Sequence, residues 1–319
     1  MKNSPLLTIA IPTYNRASYL DKLLSSLLSQ SGEFSNSIEI VICDNHSTDN
    51  TEETCNKYLA INNNIRYVRN DENIGMDGNF EKCFSLANGR YYWMIGDDDV
   101  LRPNSLRTVL TILEKDNNYD LIYVNSSDEI ISDKQDVISF DEYNNGADFI
   151  NRVGVMFTFI SGMICNKHNY LRIAEETRVS FVPGTYLLHL FWQLPLVKSG
   201  KCFGYINNNL VQSTSDNSGG YGLFTVFGKN LASIIDLFYP RTHFISQSLR
   251  KSAAKFLLNF LHNDKKTNAF TVSNYLADAD AAFYDLTLYK MVLRFLYRNP
   301  GFSFWIINFR KSLKKILIK

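Results

Sequence analysis

The sequence predicts an α/β fold in which a mostly parallel sheet is flanked by helices. Over residues 1–125, short β-branched and aromatic runs alternate with segments whose apolar residues recur at helical spacing. Polar clusters follow the first, second and fourth of these runs. Strands that alternate with helices form right-handed βαβ units, and the ligand site of such a sheet lies beyond the carboxyl ends of its strands. We therefore expect the polar clusters to meet in one crevice.

The elements of this first half follow one another at short intervals. We predict strands at residues 6–11, 38–43, 65–70, 91–95 and 120–125, and helices at 18–30, 51–59, 75–87 and 103–115. Leucines at helical spacing define the first helix. Pro103 is placed in the first turn of the last helix, where the missing N–H has no partner in any case.

The second half is less regular. Residues 131–146 are polar and predict a loop, residues 154–166 predict one or two further strands, and residues 207–222 predict a mobile loop rich in Asn, Ser and Gly. After Phe224 the pattern is helical throughout. We expect one domain over residues 1–222, with halves at 1–125 and 126–222, and a helical region over 223–319.

Composition excludes several classes of protein. A hydrophobic fraction of 45% with 20% charged residues is typical of a globular chain and not of a disordered one. The net charge of +1 gives no reason to expect a nucleic-acid partner. The five cysteines contain no CxxC pair, which favours a reducing compartment over a zinc site or a disulfide framework. With no signal-peptide pattern and no apolar run long enough to span a membrane, a cytoplasmic location is expected.

The charge is unevenly distributed, because the tail from residue 286 onward has basic residues and no Asp or Glu. Its cations are Lys290, Arg294, Arg298, Arg310, Lys311, Lys314, Lys315 and Lys319. They are interleaved with large apolar residues, as in helices that lie on an anionic membrane surface. The tail thus predicts a peripheral position on the cytoplasmic membrane face. A helix packed on the body of the protein is the alternative.

The segment YYWMIGDDDVL, residues 91–101, places three consecutive carboxylates at the end of a buried strand. Like charges repel there, and a divalent cation is one way to compensate them. A solvated turn is the alternative, since Gly and Asp are common in turns. The chain has neither GxGxxG nor GxxxxGK[ST], so a metal held by carboxylates is the remaining standard means of binding a pyrophosphate.

Four motifs together resemble the family 2 glycosyltransferases of the GT-A fold. They are PTYNR (12–16), ICDNHSTDNT (42–51), RNDENIGMDGNF (69–80) and ANGRYYWMIGDDDVLRP (87–103). The third and fourth motifs are most similar to the abequosyltransferase-like branch, which decorates bacterial surface polysaccharides. The resemblance implies a GT-A domain over 1–222, with a nucleotide-sugar-binding half and an acceptor half. It also implies Mn²⁺ or Mg²⁺ as cofactor, a nucleotide-diphosphate sugar as donor, and a saccharide or lipid-linked saccharide as acceptor.

The resemblance also implies roles for individual residues. The positions that match those lining the nucleotide sugar are Thr13, Tyr14, Arg16, Asp44, Asn73, Gly75, Asp97 and Asp98, with Asp44 matching the acid that binds a pyrimidine base. The family's usual acid is replaced by Gly96, which shifts the metal-binding element towards Asp98 and Asp99. Ser161 and Gly162 match the acceptor-side strand. Asp44 could instead only cap the following helix.

The resemblance implies inversion at the anomeric carbon, which requires a base that takes the acceptor proton. The family carries this base as an Asp or Glu in a stretch that corresponds to residues 181–194, FVPGTYLLHLFWQL, where this chain has no carboxylate. His189 is the titratable group there, and it is predicted as a catalytic residue together with Asp99. A histidine packed in the core is the alternative. The competing bases are Asp141, Glu142, Glu175 and Glu176.

Two other functions share parts of this pattern. A nucleotidyltransferase also combines a parallel sheet with acidic metal ligands, but the Gly-rich phosphate loop near its first strand is missing here. A catalytically inactive relative that only binds a nucleotide sugar is the second, and the intact DDD run argues against it. The sequence therefore predicts a metal-dependent hexosyl- or deoxyhexosyltransferase of bacterial surface polysaccharide synthesis.

Overall fold

A computed structural model describes residues 4–115, 117–128, 137–177, 181–214, 221–261 and 275–317. Within these ranges nine strands form one sheet. They are β1 Leu7–Thr13, β2 Ile38–Asp44, β3 Ile65–Arg69, β4 Tyr91–Met94, β5 Val100–Leu101, β6 Leu121–Ser127, β7 Phe140–Tyr143, β8 Met163–Asn166 and β9 Phe203–Gln212. The α/β class predicted from the alternating pattern is confirmed.

The α-helices of the first part are α1 Ala17–Ser31, α2 Thr51–Leu59, α3 Gly75–Leu86, α4 Ser105–Leu113, α5 Gly146–Val153, α6 Lys167–Thr177 and α7 Leu190–Ser199. Those of the second part are α8 Leu231–Phe238, α9 Phe244–Leu257, α10 Tyr275–Phe283, α11 Arg294–Arg298 and α12 Pro300–Leu317. Two π-helical turns, Thr225–Asn230 and Tyr289–Leu293, precede α8 and α11. The described residues after Phe224 are therefore helical or lie in turns, as the sequence predicts.

The sheet is mostly parallel, with strand order β3-β2-β1-β4-β8-β6-β9-β5. β7 lies outside this order and also pairs with β9. β1 to β4 run parallel to one another, and β6 and β9 run in the same direction. β8 is inserted antiparallel between β4 and β6. The carboxyl ends of six strands consequently lie at one edge of the sheet, while β5, β7 and β8 run the other way.

Burial explains why the apolar runs become strands. Every residue of β1 is buried, as expected for a central parallel strand covered on both faces. The leucines of α1 that recur at helical spacing pack into the same core, and so does one face of α4. The helix predicted at residues 51–59 is observed with those bounds.

Two local predictions are wrong and one is confirmed only in part. Of the one or two strands predicted over residues 154–166, one is found at Met163–Asn166, and it is preceded by the 3₁₀ segments Gly154–Thr158 and Ile160–Gly162. Pro103 precedes α4, which begins at Ser105 after Asn104 in a left-handed conformation (φ 65°). Residues 207–212, expected to belong to a mobile loop, complete β9, while residues 215–220 lie outside the described part. Alternating burial along β9 accounts for this, because its apolar members reach the core although its Asn residues suggest a loop.

The chain divides into two compact units. The first unit comprises residues 1–149 and 156–215, and the second comprises 150–155 and 216–319. The predicted domains differ from these units in the stretches 150–155 and 216–222. The second unit has a charged centre of its own, since Arg250 is fully buried and donates two hydrogen bonds to Asp285, at 2.6 and 2.8 Å.

Candidate active site

Within the first unit, side chains from the loops after β1 and β4 meet at the carboxyl edge of the sheet, where the crevice is predicted. Thr13, the last residue of β1, donates from Oγ1 to Asp97 Oδ2 at 2.8 Å. The guanidinium of Arg16 donates to Asp97 Oδ1 at 2.9 Å and lies 3.5 Å from Asp98 Oδ2. The loop after β1 is thereby joined to the acidic run after β4. Tyr14, between these two residues, is exposed, which leaves its ring accessible at the edge.

The three acids differ in environment. Asp97 is 4% exposed, and its burial raises its pKa to about 6 although Arg16 opposes the shift. Asp99 is equally buried, and burial followed by the charge of Asp98 raises its pKa to about 7. Asp98 is the most accessible of the three, with 21% of its side chain exposed. The three neighbouring acids are therefore destabilising when all are ionised, and a bound cation could offset this cost.

Gly96 allows two of these carboxylates to approach one point. A Cβ atom at this position would lie 2.9 Å from Asp98 Oδ1 and 3.4 Å from Asp99 Oδ2. Any larger residue would therefore crowd the space into which both oxygens point. The replacement of the family's usual acid by glycine thus opens a small cradle between Asp98 and Asp99. In the described residues, no cluster of three or more His, Cys, Asp or Glu side chains is arranged to hold a metal ion.

Ser161 connects the acidic run to the acceptor side predicted from the sequence. Its hydroxyl donates to Asp99 Oδ2 and accepts the backbone N–H of Gly96 at 2.9 Å. Its carbonyl accepts the indole N–H of Trp93 at 2.8 Å. The next residue, Gly162, is closely packed, because a Cβ there would lie 3.0 Å from Phe159. Of the two predicted acceptor-side residues, Ser161 therefore contacts Asp99, and Gly162 follows it in the chain.

Asp44 lies at the end of β2 and is completely buried. Its Oδ1 accepts the backbone N–H of Ser47 at 2.8 Å, and its Oδ2 accepts the hydroxyl of Tyr67 at 2.6 Å. Arg69 lies 3.7 Å from the same Oδ2. Asp44 therefore closes a turn, and it does not cap α2, which begins later at Thr51. Contact with a nucleotide base stays a prediction.

A chain of asparagine side chains fixes the loop that contains Asn73 and Gly75. Asn45 donates to Asn73 Oδ1 at 2.8 Å and to the carbonyl of Gly75 at 3.2 Å. Asn70 donates to Asn45 Oδ1 and to Asn79 Oδ1, and Asn79 donates to the carbonyl of Cys43. Gly75 has φ +77°, which favours glycine at the start of α3. The loop is thus held to the end of β2 before any ligand binds.

His189 precedes α7 and is 1% exposed. Its Nε2 lies 3.0 Å from the carbonyl of Thr158, so this nitrogen carries the proton, and Nδ1 has no hydrogen-bond partner within the described residues. Burial lowers the pKa of His189 to about 4, so the ring is neutral near pH 7. Its ring also contacts Phe80 of α3, at 6.4 Å between centroids. The structure thus places the predicted base inside the protein, and its catalytic role stays a prediction.

The competing bases are placed elsewhere or are not described. Asp141 on β7 is exposed and accepts a hydrogen bond from Asn207 at 3.0 Å. Glu142 accepts the hydroxyl hydrogen bond of Tyr119 and faces a shallow groove near the amino end of β9. The side chains of Glu175 and Glu176 lie outside the described part of the chain.

Several residues of the site were not predicted. Tyr67 and Arg69 belong to β3, and Thr214, which follows β9, donates its backbone N–H to Asp99 Oδ1 at 3.4 Å. Asn45 and Asn70 lie within the motifs DNHSTD and RND, so their position beside a predicted strand end was a usable signal. Thr214 carried no such signal, because residues 207–222 were interpreted as a loop.

The fold and this edge define a GT-A glycosyltransferase. The solved Staphylococcus aureus TarS fragment 1-349 is similar, with a TM-score of 0.61 and 15% identity over 93% of this chain and 87% of that one. The mannosyltransferase PcManGT of Pyrobaculum calidifontis, solved with GDP-Man and Mn²⁺, has a TM-score of 0.54 and 15% identity over 94% of this chain and 87% of that one.

The sequence comparisons identify the family. The model of glycosyl transferase family 2 matches residues 8–166. The abequosyltransferase RfbV of Salmonella typhimurium is 34% identical over 230 residues, which are 66% of this chain and 67% of that protein. The chain therefore belongs to glycosyltransferase family 2 and is a glycosyltransferase, as its motifs predict.

Proposed function

We propose that the chain is a metal-dependent, inverting glycosyltransferase of bacterial surface-polysaccharide or glycan synthesis. It would move a hexosyl or deoxyhexosyl group from a nucleotide-diphosphate sugar to a saccharide acceptor. The observation that carries this proposal is the meeting of Thr13, Arg16 and the acids 97–99 at one edge of the sheet. The similarity to an abequosyltransferase supports the polysaccharide context, and the PcManGT complex supports the type of donor.

Asp98 and Asp99 are proposed to hold Mn²⁺ or Mg²⁺. Both ions prefer oxygen ligands, and Mg²⁺ commonly uses one or two carboxylates together with substrate phosphates. The two carboxylate oxygens that converge beside Gly96 fit this donor set. The ion, when bound, would neutralise the charge that develops on the leaving diphosphate. It would also compensate the burial and the charge of Asp98, which together raise the pKa of Asp99.

The remaining predicted residues would bind the donor. Arg16 is fixed by Asp97 beside Asp98, where a cation can face a phosphate group. Tyr14 offers an exposed ring to a flat base, and Asn73 and Gly75 form a wall that is already ordered by Asn45. Asp97 is proposed to face the ribose. Asp44 would contribute to binding of the nucleotide base indirectly, by closing the turn between residues 44 and 47.

A donor screen tests this proposal directly. UDP-, GDP-, dTDP- and CDP-sugars, each with and without Mn²⁺, are added to the protein, and the melting temperature is followed. We expect sugars of one nucleotide class to raise the Tm. The rise should be large with Mn²⁺ and small without it. Release of the nucleoside diphosphate in the presence of n-octyl glycosides then separates an active transferase from an inactive binding relative. A Tm that no donor changes would contradict the proposal.

We also propose that the C-terminal region contacts an anionic membrane. Part of this region is structural, since Tyr289 and Tyr297 are buried in the second unit. Other large apolar side chains are exposed beside the basic residues, namely Met291, Val292, Phe295, Phe302, Phe304 and Trp305. Such a combination suits an interface at which apolar anchors enter the lipid and cations meet headgroups. Across the described ranges, no helix has the length and hydropathy of a membrane span.

Vesicle co-sedimentation tests this contact. Native protein should sediment with phosphatidylglycerol vesicles at low salt and less so at high salt. The double variant Phe302→Ser/Trp305→Ser should lose most of this binding, whereas Leu237→Ser, another exposed apolar position of the second unit, should not. Native protein that stays in the supernatant at low salt would exclude the membrane proposal.

A further inference from the structure

The stretch that would carry the family's base contains no acid, but the fold supplies one from a distant segment. Asp77 lies in the first turn of α3 and is 7% exposed. Its Oδ2 accepts the backbone N–H of Thr185 at 2.9 Å and that of Tyr186 at 3.1 Å. Both residues belong to the stretch 181–194. A carboxylate from α3 is therefore in direct contact with this stretch, although the stretch has no acid of its own.

The topology places this carboxylate at the edge of the sheet that holds the acidic run. α3 follows the carboxyl end of β3 and leads to β4, and α7 leads to the amino end of β9. Because these strands are parallel, both helices begin at the carboxyl edge. Phe84 of α3 stacks on Trp192 of α7, with 4.5 Å between ring centroids, so the two helices run side by side. The contacts follow in order along both segments, with Asp77 beside Thr185, Phe80 beside His189 and Phe84 beside Trp192. Asp77 thus lies at the start of α3, beside the turn that leads to α7.

The second oxygen of this carboxylate has no donor. Asp77 Oδ1 is buried and accepts no hydrogen bond from the residues that the structure describes. A buried carboxylate oxygen without a donor costs free energy, and native proteins retain few such atoms. A substrate hydroxyl is a donor that would satisfy it. The turn already holds the other oxygen, so Oδ1 is the oxygen that still lacks a donor within the described residues.

The turn that binds Asp77 has an unusual backbone. Tyr186 has φ +61°, in the left-handed region that is costly for a bulky side chain, whereas Gly184 adopts φ +79° readily. Non-glycine residues in this region cluster at functional sites. Here the turn points two consecutive N–H groups at one anion. These two hydrogen bonds fix the orientation of Asp77.

We propose that Asp77 is the general base of the transfer reaction, an inference that rests on the proposed function. The acceptor hydroxyl oxygen forms a bond to the anomeric carbon of the donor. The bond from that carbon to the phosphate oxygen breaks, and its electron pair leaves with the nucleoside diphosphate. The hydroxyl proton passes to Asp77 Oδ1. Asp77 is thus a catalytic residue that the fold places beside the segment 181–194.

The variant Asp77→Asn separates catalysis from support of the turn. The amide oxygen can accept both backbone N–H groups in place of Oδ2, while the amide nitrogen replaces Oδ1 and cannot take a proton. With the donor found by the screen and n-octyl glycosides as acceptors, nucleoside diphosphate release should fall by about 10²–10⁴-fold. The Tm and its rise on donor addition should stay close to those of native protein.

Asp120 provides a matched control. It is also 7% exposed, and its Oδ2 accepts the backbone N–H groups of Lys201 and Cys202, at 2.8 and 3.2 Å. It differs in that Oδ1 is satisfied by Asn169 and in that it precedes β6, at the opposite edge of the sheet. Asp120→Asn should therefore release nucleoside diphosphate at the native rate. Because the new amide N–H group of Asp120→Asn would also face the amide N–H of Asn169, this variant should lose at least as much Tm as Asp77→Asn. A loss of turnover confined to Asp77→Asn therefore cannot come from burial of an amide.

A third variant decides between a base and a positioning residue. Asp77→Ala removes both functions, so it should lose Tm as well as turnover. If Asp77→Asn works at the native rate while Asp77→Ala is impaired, Asp77 only supports the turn and the inference is wrong. If native protein releases no nucleoside diphosphate from any donor, the proposed function fails, and that result is distinct from native-rate activity of Asp77→Asn.

Discussion

The acidic run of the sheet edge and the ion pair of the helical unit both place charge inside the protein, but they compensate it differently. Arg250 is fully buried and meets Asp285 through two hydrogen bonds. Although burial alone would raise the pKa of Asp285, Arg250 holds it below its usual value. At the sheet edge, burial raises the pKa of Asp97 and Asp99 despite the presence of Arg16. The first arrangement is complete by itself, whereas for the second we propose that a bound cation supplies the missing compensation.

A structural charge can be distinguished from a functional one by the effect of substituting it. A structural pair satisfies its own hydrogen bonds, so removing one partner should damage the fold. A functional cluster retains charge that the protein does not compensate. Removing one member should therefore lower activity and can raise the free energy of unfolding. The two regions therefore predict opposite responses to substitution of an aspartate.

The largest effect is expected at the proposed metal ligands. Asp98→Ala and Asp99→Ala should each lower the rate of sugar transfer by about a thousandfold or more, equivalent to about 4 kcal/mol of transition-state stabilisation. Asp99→Ala also removes the acceptor of the Ser161 and Thr214 hydrogen bonds, but the fold should be retained because the apolar core is unchanged. Circular dichroism checks the fold, and nucleoside diphosphate release at saturating donor measures the rate. Near-native turnover of both variants would contradict the metal assignment.

The converse effect is expected at Asp285. Asp285→Ala leaves the guanidinium of Arg250 buried without its anion, which should lower the free energy of unfolding by about 3–5 kcal/mol. Urea denaturation at pH 7 measures this loss. The pair is structural only if the double variant Arg250→Met/Asp285→Ala recovers a large part of the stability. A single variant as stable as native protein would remove the contrast between the two regions.

A gain of stability is expected at Asp99. Its folded pKa of about 7 lies above the usual 3.8, so the folded state binds the proton more tightly than the unfolded state. The ligand-free protein should then lose stability as the pH rises from about 4 to about 7, by up to about 3 kcal/mol. Asp99→Asn should be more stable than native protein at pH 8 and similar to it at pH 4. Thermal melts at the two pH values measure the difference, and equal gains at both would refute the explanation.

The smallest effect on activity is expected at His189. His189→Ala removes a packed ring and its hydrogen bond to Thr158, which should cost about 2–3 kcal/mol of stability. If the ring is only packed, turnover of the folded variant should stay within about tenfold of native. A stable variant with turnover lowered by about 10²–10⁴-fold would support His189 as the base and oppose Asp77.

The sequence predicted the elements whose pattern is local. α2 was predicted with its observed bounds, and Thr13, Arg16, Asp97 and Ser161 meet at the predicted edge. What failed depends on strand direction and on contacts between distant segments. The periodicity of residues 154–166 does not show that β8 runs antiparallel between β4 and β6.

The contact of Asp77 with Thr185 could not be predicted for the same reason. The two residues are 108 positions apart, and the contact depends on how α3 and α7 pack beside each other. The burial of His189 likewise follows from that packing. Side chains at strand ends are thus accessible to sequence analysis, whereas those placed by the packing of helices are not.

The hydrogen bond between the Trp93 indole and the carbonyl of Ser161 makes the site optically observable. The chain has three tryptophans. Trp93 is fully buried and is linked to Asp99 in space through Ser161, which forms hydrogen bonds with both residues. Mn²⁺ is paramagnetic and quenches nearby excited indoles, whereas Mg²⁺ does not. Titration with the two ions should therefore give different intrinsic emission, so that occupancy of the acidic run can be followed by fluorescence without a label.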